Sequence, residues 1–96
     1  MIRKEKKGKQ VKITFVLPEH LAYQNPCVVG DFNNWDPAAN PFKKRANKTL
    51  STSVTVPTNT SFAFRYLAED GQWFDEEQAD GFVLNEFGTA NCSCET

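Results

Sequence analysis

Apolar and polar residues alternate with a period of two along much of this chain. Val11, Ile13, Phe15 and Leu17 share one face of a segment that starts at Gln10, and Lys12 and Thr14 share the other. That spacing predicts a half-buried strand, closed by Pro18. Leu50, Thr52, Val54 and Val56 alternate in the same way against Ser51, Ser53 and Thr55. The clearest strand covers residues 61–68, with Phe62, Phe64, Tyr66 and Ala68 on one face and Ala63, Arg65 and Leu67 on the other. Shorter runs at 27–30, 82–84 and 91–95 complete the set. Turn residues separate them: Asn25-Pro26, the two prolines Pro37 and Pro41, Asn47-Lys48, Pro57-Thr58-Asn59 and the hairpin signal Asp70-Gly71, after which Gln72-Trp73-Phe74 pairs back. No stretch carries the periodicity of an amphipathic helix. About seven short strands with frequent turns describe an all-β domain, either a sandwich or a small barrel.

The second run leads into Val28-Val29-Gly30-Asp31-Phe32-Asn33-Asn34-Trp35-Asp36-Pro37. Gly30 ends the strand, and the residues after it turn a chain by bonding their own backbone or by fixing φ. Trp35 stands in the middle of that turn, where a turn does not require it. Two placements are open. The indole folds back into the core, or it is presented outward as a flat apolar surface for a ligand.

Ninety-six residues make one domain, and a chain this short buries roughly 60–70% of its unfolded surface, which leaves no room for a deep catalytic cleft. The net charge is -1, but it is unevenly spread. All eleven Lys and Arg lie in residues 1–65, and residues 66–96 hold only acids. Two solvated faces that attract one another account for this. Arg3, Lys4, Lys6, Lys7, Lys9 and Lys12 cluster at the start, so residues 1–9 read as a flexible basic arm and residues 10–96 as the folded domain. No secretory signal follows Met1 and no run approaches a membrane span. Three cysteines, Cys27, Cys92 and Cys94, without such a signal predict reduced, buried thiols in a cytoplasmic protein. Cys92 and Cys94 fall on the same strand face, and Cys27 can neighbour either. With His20 the only histidine, no metal site and no cofactor are expected.

The acidic segment Asp75, Glu76, Glu77, Asp80 raises glycosidase chemistry, because paired carboxylates can act as acid and base. Such chemistry also needs a groove that distorts a sugar ring, and a solvated loop is the better reading. The spacing of these acids does not match the EF-hand calcium pattern, and no motif supplies His20 with a nucleophile. The chain reads as non-enzymatic. A binding constellation remains. Arg65 faces solvent if Phe62, Phe64 and Tyr66 face the core, and Trp73 returns beside it after the hairpin. Trp35 and Trp73 then offer two flat platforms for the C–H faces of sugars, with Arg65, Asn33 and Asn34 available to hydroxyl groups.

Gly30-Asp31-Phe32-Asn33-Asn34-Trp35, Phe64-Arg65-Tyr66, Asp70-Gly71-Gln72-Trp73 and Phe87-Gly88-Thr89-Ala90-Asn91 follow one another in an order and spacing that resemble the family 48 carbohydrate-binding modules. These include the glycogen-binding domain of the AMP-activated protein kinase beta subunit and the N-terminal domains of isoamylases and branching enzymes. The resemblance covers about residues 10–95. It implies an early-set immunoglobulin-like β-sandwich that binds α-1,4-glucans such as glycogen, starch, amylose or maltooligosaccharides. It implies that Trp35 and Trp73 stack on glucose rings and that Arg65 stands where the family has a lysine. Phe87 stands where the family has a leucine that enters the bound glucan, and Thr89 and Asn91 match the residues that bond sugar hydroxyls. Phe74-Asp75-Glu76-Glu77 departs from the family in lacking a proline common there, and no catalytic barrel or kinase-binding tail follows Thr96. The expected function is a free-standing, non-catalytic glucan-binding module, with Asn34 added to the site from the turn. The alternatives are a protein-interaction or self-association domain beside a glucan-metabolising enzyme, and a single-stranded nucleic-acid binder that joins the aromatic platforms to the basic arm. A membrane is not expected as a partner, and nucleic acid is the least favoured.

Overall fold

The computed structural model describes residues 1–20, 23–86 and 88–96. It is all-β: two antiparallel sheets packed as an immunoglobulin-like sandwich. The first sheet runs in the order β1 (Ile2–Lys7), β2 (Gln10–Pro18), β5 (Thr49–Pro57), β4 (Lys43–Lys44). The second runs β3 (Cys27–Gly30), β6 (Ser61–Leu67), β9 (Ala90–Glu95), β8 (Gly81–Leu84), with β7 (Trp73–Phe74) paired to the far half of β6.

The alternation read from the sequence sets which residues meet between the sheets. In the long β2–β5 ladder, Val11 lies opposite Val56, Ile13 opposite Val54, Phe15 opposite Thr52 and Leu17 opposite Leu50. From the second sheet come Phe62, Phe64, Tyr66, Cys92 and Cys94, all buried. Phe15 sits at the centre, its ring 5.2 Å from Phe64 and 6.2 Å from Tyr66, the latter edge-on. Because successive strand residues point to opposite faces, burying Phe64 and Tyr66 turns Ala63 and Arg65 to the outer face of the second sheet.

Residues 1–9 are not a flexible arm. Ile2–Lys7 form β1, paired along its whole length with β2 from Ile2 opposite Phe15 to Lys7 opposite Gln10. Gly8 turns the hairpin at φ +63, as a glycine in the first central position of a two-residue loop does. Ile2 packs against the core. The lysines belong to an edge strand, where charge discourages further strand pairing.

The acidic segment is not a freely solvated loop either. Glu76 is only 3% exposed. Its carboxylate pairs with the amino group of Met1 and accepts a hydrogen bond from the Tyr66 hydroxyl at 3.4 Å. Burial, with the Glu76 carboxylate beside it, drives the Tyr66 hydroxyl far above its usual range. Asp80 pairs with Lys4 at 2.7 Å and accepts the Glu95 amide at 2.7 Å, so it ties the edge of the first sheet to the last strand of the second. The expected attraction between basic and acidic parts of the chain is visible in these pairs.

The hydrogen bond from Lys4 holds the Asp80 carboxyl below the ordinary carboxylate range. Partial burial lowers the Lys4 ammonium, but the bond to Asp80 and nearby negative charge leave it raised on balance. The contribution of this staple is therefore complete from about pH 4, the ordinary carboxylate value, to about pH 10, the ordinary lysine value. It is lost as pH falls through the lowered Asp80 value or rises through the raised Lys4 value. Both side chains are 35% exposed, so Lys4→Met is expected to lower stability near neutral pH by no more than about 1 kcal/mol. Denaturant titrations of the two proteins across pH check this, and the difference should shrink toward zero in strong acid.

Cys27, Cys92 and Cys94 are free and buried. Cys92 and Cys94 point into the core, whereas Cys27 lies opposite Leu67 on the other face, so it does not neighbour them. Burial raises all three thiols, Cys94 to about 11. Among the described residues, no helix is long and apolar enough to cross a membrane.

Candidate functional site

The turn after β3 resolves the choice left open for its aromatics. Phe32 goes inward, stacked 6.0 Å from Phe15 and edge-on to Phe62 at 5.3 Å, while Trp35 stays half-buried on the outer side. The turn is possible because Gly30 has no side chain. A Cβ there would lie 2.5 Å from the Ala63 carbonyl oxygen and 2.9 Å from the Phe64 Cβ. Asp31–Asn33 then form one turn of 3-10 helix. Asn33 Oδ1 accepts from the Gly30 amide at 3.0 Å, and its Nδ2 donates to the Val28 carbonyl and to Asn40 Oδ1 at 3.1 and 2.9 Å. These bonds make Asn33 a staple of the turn, with its polar atoms directed at protein partners.

Asn34 and Trp35 both adopt left-handed backbone, φ 56 and 57. Asparagine tolerates this, but a bulky residue pays about 1–2 kcal/mol for it. The Trp35 amide donates to the Gly30 carbonyl at 3.0 Å, which closes the turn. The indole Nε1 donates to Asp31 Oδ1 at 3.1 Å, and Asp31 Oδ2 accepts the Ala63 amide of β6 at 2.9 Å.

Trp73 arrives from the other direction. The Asp70-Gly71 signal marks the right place, but the hairpin is a three-residue one. The Ala68 amide donates to the Gln72 carbonyl at 2.8 Å, and Gly71 alone takes positive φ, at +87. β7 then sets Phe74 opposite Tyr66 and Trp73 opposite Leu67. Phe74 is the inward residue, stacked 4.1 Å on Tyr23, and Trp73 is outward and 47% exposed. Arg65 lies between the two platforms. Its guanidinium carbon is 5.3 Å above the Trp73 ring, and its Nε donates to Asp75 Oδ1 at 3.2 Å. The cation is thereby held between the indole face and the Asp75 carboxylate, and Arg65 lines the groove beside Trp73.

The third wall is the loop between β8 and β9. Asn85 braces it, donating through Nδ2 to Thr89 Oγ1 at 2.8 Å and to Asn91 Oδ1 at 3.2 Å, and accepting the Thr89 amide on Oδ1 at 3.2 Å. The Thr89 hydroxyl proton and the Asn91 amide nitrogen have no partner among the described residues.

Trp35, Arg65, Trp73, Thr89 and Asn91 thus line one open groove of about 770 Å³ on the outer face of the second sheet. Five of the predicted residues come together. Asn34 is absent from the wall and serves as the left-handed link that turns Trp35 outward. Phe87 falls outside the described residues. The groove also includes Asp31, Ala63, Asn85 and Glu86, which the sequence reading missed. Ala63 is visible in the outward row of its strand; the other three carry no periodic signal. The groove contains carboxylates at Asp31 and Glu86 and one cation, Arg65, already paired with Asp75. No residue of the basic β1 edge lines it. No protein-family model matches the chain, and no curated protein matches it.

Proposed function

We propose that the groove binds a neutral α-1,4-glucan, such as glycogen, starch or a maltooligosaccharide, without chemistry. The observation that carries this reading is the pairing of two indoles, Trp35 and Trp73, in one open groove with hydrogen-bonding side chains between them. Glucose rings present C–H faces that stack on indoles and hydroxyl edges that need polar partners. By analogy with base–aromatic stacking, each platform contributes about 1–3 kcal/mol. Arg65, Thr89 and Asn91 then orient hydroxyls. The charge balance of the groove supports an uncharged ligand over a phosphate backbone. The resemblance of four ordered motifs to those of family 48 carbohydrate-binding modules points the same way. Free buried thiols at Cys27, Cys92 and Cys94 favour a reducing, cytoplasmic setting.

Tryptophan fluorescence titrated with maltoheptaose tests the reading. A saturable change with nearly the same midpoint at low and high salt is expected, because no counterions are released on binding a neutral sugar. A flat titration would overturn it, and a midpoint that rises steeply with salt would favour a polyanion.

A second reading, docking to another protein or to a second copy, draws on β8. This edge strand leaves Phe82, Val83 and Leu84 exposed by 61, 50 and 80%, and such edges invite strand pairing. A chain that self-associates in sedimentation and leaves the maltoheptaose titration flat would favour it.

A further inference from the structure

We infer that Asp31 is a positioning residue that fixes the Trp35 ring as a binding face; the inference rests on the glucan reading for its effect on affinity. Both carboxylate oxygens are engaged, and they join two elements. Oδ1 accepts the indole N–H of Trp35 and Oδ2 accepts the Ala63 amide of β6. The second bond has a topological origin. β3 ends at Gly30, opposite Phe64, so the next amide along β6 has no strand partner on that side and takes a side-chain acceptor instead.

Trp35 needs such an anchor. Its backbone is left-handed at φ 57 and follows a second left-handed residue, so the segment that carries it is not held by a strand ladder. Among the described residues no aromatic ring packs on the indole, and the bond to Asp31 is the hydrogen bond that orients the ring. A half-buried ring on a short turn samples several rotamers unless something selects one. Here a charged acceptor, itself fixed to the central strand, selects the rotamer that faces the groove. Hydrogen bonds to a charged group are among the stronger ones. Trp73 is held differently, by a strand pair and by the Arg65 guanidinium over its face. The two platforms therefore have separate restraints, and only one depends on Asp31.

The test uses Asp31→Ala and Asp31→Asn. In a Trp73→Phe background, time-resolved fluorescence anisotropy reports the motion of Trp35 alone. Asp31→Ala is expected to increase the fast-decaying component. Asp31→Asn keeps an acceptor for one N–H but has none for the other, and is expected to give an intermediate value. With Trp73 present, Asp31→Ala is expected to weaken β-cyclodextrin binding about tenfold, the scale of one charge-assisted hydrogen bond. Unchanged anisotropy in a folded Asp31→Ala or Asp31→Asn protein would overturn the inference. Weakened binding with the ring still fixed would overturn it too, since Asp31 would then act on the sugar directly. A freed ring with undiminished affinity would show that its orientation does not matter. If Asp31→Ala does not fold, Asp31→Asn decides the question by the same readouts. Failure of the unsubstituted protein to bind β-cyclodextrin would instead remove the glucan reading, and the anisotropy would still decide whether Asp31 holds the ring.

Discussion

Trp73→Ala is expected to abolish measurable glucan binding while the sandwich stays folded. The two effects separate because β7 divides its labour. Phe74 supplies the inward contact, against Tyr23 and Tyr66, and Trp73 projects outward with nearly half its surface in water. Removing an outward ring leaves the core intact, so stability should move by no more than about 1 kcal/mol. Arg65 loses the indole beneath it but keeps Asp75. Binding has no such reserve. Loss of one stacked platform removes about 1–3 kcal/mol, roughly five- to 150-fold in affinity, from an interaction already weak on a shallow, open groove. Calorimetric titration with maltoheptaose and thermal unfolding of the same sample read the two effects side by side. A variant that unfolds would make Trp73 a core residue, and one that binds as before would remove it from the site.

Gly30→Ala is expected to cause the largest loss of stability at the edge of the site. The reason is space, since the glycine backbone is extended, with φ -178 and ψ -173, which any residue adopts. An added methyl group would meet the Ala63 carbonyl oxygen at 2.5 Å, the Phe32 ring at 2.8 Å and the Phe64 Cβ at 2.9 Å. Phe32 has some freedom to move. The β6 backbone does not, because it is paired on its other side with β9. Overpacking of this kind costs about 1–3 kcal/mol, which in a domain this small lowers the melting temperature by about 5–20 °C. β3 and β6 must part where Asp31 and Trp35 attach, so affinity should fall together with stability. Circular dichroism melts check the first effect, and an unchanged melting temperature would contradict the close approach of the two strands.

These two residues also illustrate what sequence reasoning reaches. The period of two along residues 61–68 is sufficient to send Phe64 and Tyr66 inward and Arg65 outward, and the Asp70-Gly71 turn then brings Trp73 beside Arg65. Trp35 was different. Strand periodicity stops at Gly30, so nothing in the spacing decides whether Phe32 or Trp35 turns inward. Phe32 takes the inward place against Phe15 and Phe62, partners on two strands distant from it in the chain. Asp31 reads only as a turn residue because its second partner, the Ala63 amide, lies on β6, more than thirty residues away in the chain. The same non-locality hid β1. A lysine-rich start reads as a solvated tail, and the partner that orders it is the β2 strand. The acidic segment around Glu76 reads as a solvated loop, whereas the partners of Glu76, Tyr66 and the Met1 amino group, come from the core and from the edge of the other sheet.

The central claim is that Trp35 and Trp73 form one glucan-binding face. Native electrophoresis of the protein through gels with and without glycogen tests it most directly, with β-cyclodextrin as competitor and Trp73→Ala alongside. The account predicts retardation by glycogen that β-cyclodextrin relieves and that Trp73→Ala lacks. Equal mobility in both gels at high glycogen would contradict it and leave the exposed β8 edge as the surface to pursue.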